Sequence, residues 1–230
     1  MTREAIHSNP IEAAVSYDTA IEIISKDLCD QGIAVLQEGF RARFPDPDQV
    51  CLVPILQGGD TIGRKLFEAH PEVAATPMQM TNYDDELQLL ERPRCLQKPD
   101  IRKIVVNGRT SKVAFAEAVI DSGRTLMASM GVINGQIDEL NKERDENYLH
   151  PAYSVFALID KTRESVEGLD LVVAFKVDPD IWVHGLGCDN NQEGRRIPRI
   201  DGMLSPGARK AERIPRQPYF RPLFETRETE

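Results

Sequence analysis

Long apolar runs, an excess of basic charge and patterned cysteines are all missing from this sequence, and each absence removes a class of protein. The longest apolar runs, CLVPIL and LVVAF, have the length of a strand and not of a membrane span. Acidic residues outnumber basic ones, 37 to 28, for a net charge of -9, which argues against a general affinity for nucleic acid, since phosphate neutralisation needs a basic face; nucleic acid is not an expected partner, although the count leaves room for a local basic patch. The four cysteines, at 29, 51, 95 and 188, have no CxxC spacing, which points to free thiols in a reducing compartment. The N-terminal stretch MTREAIHSNPIEAAVSYD has no apolar core followed by a cleavage site, so the expected location is the cytoplasm, without membrane attachment.

What is present is an alternation of short apolar strands, loops and amphipathic helices. At 230 residues, the chain suits one sizeable α/β domain, read here as residues 1–204 with a C-terminal extension over 205–230 that is rich in proline and charge. Apolar positions at 21, 24, 28, 33, 36 and 40 predict a helix over about 16–43, with Gly32 a weak point. CLVPIL reads as a buried parallel strand, Gln57-Gly58-Gly59 as a tight loop, and DTIGRKLFEAH as the next helix. From Thr76 to Asn107 the pattern weakens, and a strand to about Tyr83, a mobile excursion and a strand returning near Ile104 are expected. KVAFAEAVI is a strand, RTLMASMGVINGQIDEL a helix, and AYSVFALID, LDLVVAF and DIWVHG three further strands. The fold class is therefore α/β: a mainly parallel central sheet with helices on both faces.

Open parallel sheets bind ligands beyond the carboxyl ends of their strands. Chemistry-bearing residues stand at those ends: Gln57-Gly58-Gly59 after CLVPIL, Asp121-Ser122-Gly123-Arg124-Thr125 after VAFAEAVI, and Asp160-Lys161 after AYSVFALI. Trp182, Asp189 and Arg195 lie in and beyond DIWVHG. The run DSGRT opens a helix with small and hydroxyl residues, so its amide N–H groups and the helix dipole form a seat for an anion; read alone it is equally a helix cap and a glycine turn. QGGDTIGRK has glycine spacing but continues with Arg64-Lys65 where a nucleotide-triphosphate loop needs lysine and a hydroxyl residue. Read alone, Trp182 and His184 suit strand packing, and Lys161 and Arg195 suit solvated charge.

Together the pieces resemble a family. EAVIDSGRTL is similar to the phosphoribosyl pyrophosphate (PRPP) motif of type I phosphoribosyltransferases, which usually has two acids, two aliphatic residues and D-[ST]-G-x-T. VPILQGG is similar to their pyrophosphate loop. LIDK at 158–161 and FKVDPDIWVHGLGCDNNQEGRRIPRI at 175–200 resemble most closely the hypoxanthine-guanine branch, whose sheet carries a small hood region. The resemblance runs over about residues 16–204 and implies a magnesium-dependent enzyme, a homodimer or homotetramer, that joins PRPP to a 6-oxopurine base and releases pyrophosphate. It assigns Asp121 the acid/base role at the purine and gives the 5′-phosphate to Ser122, Gly123, Arg124 and Thr125. Glu117 would hold ribose hydroxyls and magnesium; Gln57, Gly58, Gly59 and Arg195 would hold pyrophosphate; Asp189 would hold a second magnesium. Lys161, Trp182 and Val183 would contact the base, and Asn82-Tyr83 stands where the family's mobile loop has Ser-Tyr.

The chain departs from the pattern at Ala118, where the family has a second acid. Losing that hydrogen bond costs roughly 1.5–3 kcal/mol. If Ala118 is only a missing ribose ligand, an aspartate there should tighten PRPP binding; if the pocket is built around the small residue, a desolvated acid should weaken it. The departure also opens a second reading, a PRPP-binding regulator with little turnover, and a third, a transferase for another base.

Overall fold

The computed structural model describes residues 20–84, 86, 88–163, 169–188, 197–204 and 220–224. The central strands of the main sheet, Val50–Leu56, Lys112–Ile120 and Tyr153–Asp160, are mostly apolar, because helices cover both of its faces. In chain order the strands are β1 (Ile21–Ile24), β2 (Val50–Leu56), β3 (Ala74–Ala75), β4 (Met78–Tyr83), β5 (Leu89–Gln97), β6 (Val105–Val106), β7 (Arg109–Thr110), β8 (Lys112–Ile120), β9 (Tyr153–Asp160), β10 (Asp170–Val177), β11 (Ile181–His184), β12 (Ile200–Leu204) and β13 (Phe220–Pro222). The helices are α1 (Lys26–Arg43), α2 (Asp60–Ala69) and α3 (Arg124–Arg144). The main sheet has the order β13-β10-β9-β8-β2-β4-β5, with β3 beside β2; β10, β9, β8, β2 and β4 run parallel, while β5 and β13 run antiparallel at the edges. A separate antiparallel sheet, β1-β12-β11, forms the hood.

Two apolar layers hold these elements. On one face α1 and α2 pack on the sheet, with Phe40, Phe44 and Phe156 in mutual ring contact and the small residues Ala114, Ala116 and Ala118 of β8 beneath them. On the other face, Leu126, Ile133 and Ile137 of α3 pack on Val53, Phe115 and Val155. Gly32 is no weak point in α1: a methyl there would lie 2.6 Å from the buried ring of Phe175, so glycine sets how closely the helix approaches β10. Among the described residues, no helix is long and apolar enough to cross a membrane. The cysteines are free thiols, and burial pushes Cys29 and Cys51 up to about 12.

Four stretches differ from the sequence reading. The helix expected from about 16 begins at Lys26, because Ser25 caps it by accepting from the Leu28 N–H and Ile21–Ile24 form the hood strand β1. The excursion expected after Tyr83 contains a nine-residue strand, β5; it is an edge strand, which is where a sheet tolerates a proline such as Pro93. No long strand returns near Ile104, which is buried between a single helical turn, Ile101–Lys103, and the short β6–β7 hairpin. Within the stretch read as an irregular extension, Phe220–Pro222 add strand β13 to β10, and Phe224 packs its ring on Phe175 at 5.3 Å. Residues 205–219 lie outside the described residues.

Candidate active site

The site residues gather where β2, β8 and β9, neighbours in the sheet, reach their carboxyl ends. The pairing of β8 with β9 runs up to Ile120 and Asp160, and the Lys161 N–H then donates to the Ile120 carbonyl at 2.8 Å, extending the ladder by one step. That step brings Lys161 beside Asp121, with Nζ 3.9 Å from Oδ2. Asp160 braces the turn: its carboxylate accepts from the Thr162 N–H at 2.7 Å, from the Thr162 hydroxyl at 2.6 Å and from Lys176 Nζ at 2.7 Å.

The two partners sit in opposite surroundings. Asp121 is 68% exposed and the Lys161 side chain only 5%. Burial pushes the Lys161 ammonium below its ordinary value of 10.5, and nearby Asp121 opposes the shift. Attraction at this distance is about 1 kcal/mol in water and about 4 kcal/mol in a partly desolvated pair. Because Asp121 is open to solvent, the lower figure applies, and the lysine carries a desolvation cost that its partner does not repay.

Gln57, Gly58 and Gly59 follow β2, after a cis peptide between Leu56 and Gln57. Close approach to backbone requires glycine at position 59. A methyl on Gly59 would collide with the carbonyl oxygen of Ala116, and one on Gly58 would lie 2.5 Å from Glu117 Oε1. Glu117 is half-buried and also accepts from the Ala118 N–H at 2.9 Å. From the hood side, Gly187 (φ +98°) lies against the same loop, where a methyl would strike the Gly58 carbonyl oxygen and come within 3.6 Å of Ala118 Cβ. Ala118 is 1% exposed beneath these backbones. Ala118 thus packs where Gly58 and Gly187 approach β8 closely.

Ser122 and Gly123 turn the chain into α3, with Gly123 at φ +72°, a left-handed conformation that suits glycine. The Thr125 hydroxyl meets Asn82 at the end of β4, with Asn82 Nδ2 3.0 Å away. The Arg124 guanidinium turns away from the loop and donates to the carbonyl of Leu90, at 2.9 Å, and to that of Glu91, both in β5. In the hood, Trp182 and His184 project from one face of β11, while Ile181 and Val183 on the other face join the core. Trp182 Nε1 and His184 Nδ1 are buried and have no hydrogen-bond partner among the described residues, and His184 Nε2 lies 3.7 Å from Asp201 Oδ2. Cys188 is buried in the apolar core. Asp189 and Arg195 lie outside the described residues.

The structure thus brings together Gln57, Gly58, Gly59, Glu117, Asp121 to Thr125 and Lys161, with Trp182 and Val183 on the hood strand that leads into the Gly187 contact. Sequence reasoning missed Gly187, which had a legible signal in the paired glycines of HGLGC, and the Leu90 and Glu91 carbonyls, which had none. Among the described residues no cluster of three or more His, Cys, Asp or Glu side chains could hold a metal ion by itself. Magnesium commonly binds through one or two carboxylates together with ligand phosphates; of the two carboxylates expected to hold it, Glu117 is among the described residues and Asp189 is not.

Two substitutions test this geometry. Lys161→Met should raise the melting temperature at neutral pH by about 2–4 °C, the shift that about 1 kcal/mol produces in a chain of this size. The charged lysine costs stability below its lowered folded value, and the cost disappears as pH rises towards 10.5, so the gain should shrink over the alkaline range. Thermal melts at several pH values measure it. Ala118→Asp should lose roughly 3–5 kcal/mol in denaturant titration, because the new carboxylate would be buried without a partner; unchanged stability would mean that the acid finds room and water.

No protein-family model matches the sequence, and no curated protein matches it significantly. Solved structures do match in fold. A hypoxanthine-guanine phosphoribosyltransferase from Bacillus anthracis superposes with a TM-score of 0.55 at 18% identity, covering 80% of this chain and 97% of that one. A hypoxanthine phosphoribosyltransferase from Staphylococcus aureus gives 0.54 at 18% identity over 82% and 92%. A structure described as the glutamic acid mutant in an analysis of an invariant aspartic acid in HPRTs gives 0.60 at 16% identity over 84% and 100%. With its mostly parallel sheet, its hood and its strand-end loops, the chain has the type I phosphoribosyltransferase fold in the form seen in hypoxanthine-guanine phosphoribosyltransferases.

Proposed function

We propose that this protein is a purine phosphoribosyltransferase that transfers the 5-phosphoribosyl group of PRPP to a 6-oxopurine and releases pyrophosphate, a purine-salvage reaction. The observation that carries the reading is the pairing of exposed Asp121 with buried Lys161 beside the amino end of α3. A phosphate sensor needs the α3 loop but has no use for a desolvated ammonium next to a carboxylate. A transferase uses both: Lys161 donates to the 6-oxo group of the base, and Asp121 takes the proton that N7 sheds as N9 attacks the ribose carbon. The bond to pyrophosphate breaks, positive charge builds on the sugar, and negative charge builds on the leaving group.

In this reading the amides of Ser122 to Thr125 hold the 5′-phosphate at the helix terminus. The backbone of Gln57-Gly58-Gly59 faces the departing pyrophosphate, with Arg195 assisting. Trp182 stacks on the base, and Val183 offers it backbone groups. Glu117 orients the ribose hydroxyls, and with Asp189 it would hold magnesium, which when bound neutralises charge on the pyrophosphate oxygens. The burial of Ala118 supports a second reading, a PRPP-binding regulator with little turnover, or a site shaped for a different base.

Asp121→Asn separates the readings. The amide keeps shape and hydrogen bonding but cannot accept a proton, so PRPP affinity by calorimetry should stay within about twofold while the single-turnover rate falls by about 10²–10⁴. An unchanged rate would remove Asp121 from the acid/base role, and a wild type that binds PRPP but turns over no base would favour the regulator.

A further inference from the structure

The seat for the 5′-phosphate is not confined to the loop before α3. Asn82, at the end of β4, lays its side-chain amide against the Thr125 hydroxyl, with Nδ2 at 3.0 Å and Oδ1 at 3.3 Å. The next strand of the same hairpin is fastened to the same helical turn, since Arg124 donates to the carbonyls of Leu90 and Glu91 in β5. Both strands of the β4–β5 hairpin are thus tied to adjacent residues of one anion-binding turn.

A threonine hydroxyl has one proton to give and two lone pairs. When Asn82 Nδ2 donates, the nearer of the two contacts, the hydroxyl accepts and its single proton is left for another acceptor. When the hydroxyl donates to Asn82 Oδ1, the proton is used up inside the protein. An anion in the loop selects the first arrangement, because only that one lets Thr125 donate outward. Resting on the reading that Ser122 to Thr125 seat a phosphate, we infer that Asn82 is a positioning residue that holds the Thr125 hydroxyl with its proton directed at the phosphate, and that the β4–β5 hairpin is thereby part of the phosphate seat.

The inference makes a charge-specific prediction. Asn82→Ala removes the orienting donor, and binding of ribose 5-phosphate and of PRPP should weaken about fivefold, the effect of one ordinary hydrogen bond. Asn82→Asp should weaken both by about tenfold to a hundredfold, because a carboxylate captures the hydroxyl proton and sets a negative charge beside the phosphate. In a Thr125→Val background, Asn82→Ala should have no further effect. The loss should fall on the KM for PRPP, with kcat and the KM for the base unchanged.

Calorimetric titration of these variants with ribose 5-phosphate is the test. An Asp variant that binds as well as the Ala variant, or independent effects of Asn82 and Thr125, would overturn the positioning role while leaving the transferase reading intact. A wild type that binds neither ribose 5-phosphate nor PRPP would overturn both.

Discussion

The close approach of three backbones around Ala116 and Ala118 is the constraint on which the site depends. The Gly58-Gly59 turn, strand β8 and the hood loop at Gly187 meet where a Cβ on Gly59 or Gly187 would collide with backbone. Small side chains on β8 let α2 and the turn before it settle on the sheet. Gly187 couples the hood to this arrangement, so the sheet that carries Trp182 and Val183 is positioned by contact with the very loop proposed to face pyrophosphate. Ala118 lies beneath this meeting point, 1% exposed.

A second feature follows from electrostatics. The chain buries a lysine next to an acid that stays in water, an arrangement that gains little stability. Its cost is intelligible if the site must present a directed donor to a neutral, planar base and a proton acceptor to an open cleft. Asp160, Thr162 and Lys176 form a closed polar cluster that holds the turn at Lys161, so the buried ammonium is fixed by neighbours that take no part in the proposed chemistry.

Much of this was legible in the sequence because parallel strands write themselves as apolar runs. VCLVPIL, KVAFAEAVI and YSVFALID fell where expected, and the residues just past them are those that converge. What failed was local. Ile21 and Ile24 have helical spacing with the residues of α1, but Ser25 divides them from it, and their partner β12 lies nearly 180 residues away in sequence, beyond the reach of periodicity. Strand β5 was hidden because its charged residues and Pro93 belong to an edge, where burial leaves no alternating pattern. The role of Arg124 could not be read from DSGRT, since its side chain binds carbonyls of another strand and carbonyls have no sequence signature.

The central claim is that the Asp121–Lys161 pair serves transfer of a phosphoribosyl group to a base and not mere recognition of PRPP. The most direct measurement is pyrophosphate release and nucleotide formation from PRPP and magnesium with hypoxanthine, guanine, xanthine and non-purine bases supplied one at a time. The account predicts stoichiometric pyrophosphate and nucleoside monophosphate with at least one 6-oxopurine and neither product when the base is omitted. PRPP bound without turnover of any base, or turnover restricted to bases that lack a 6-oxo group, would contradict it.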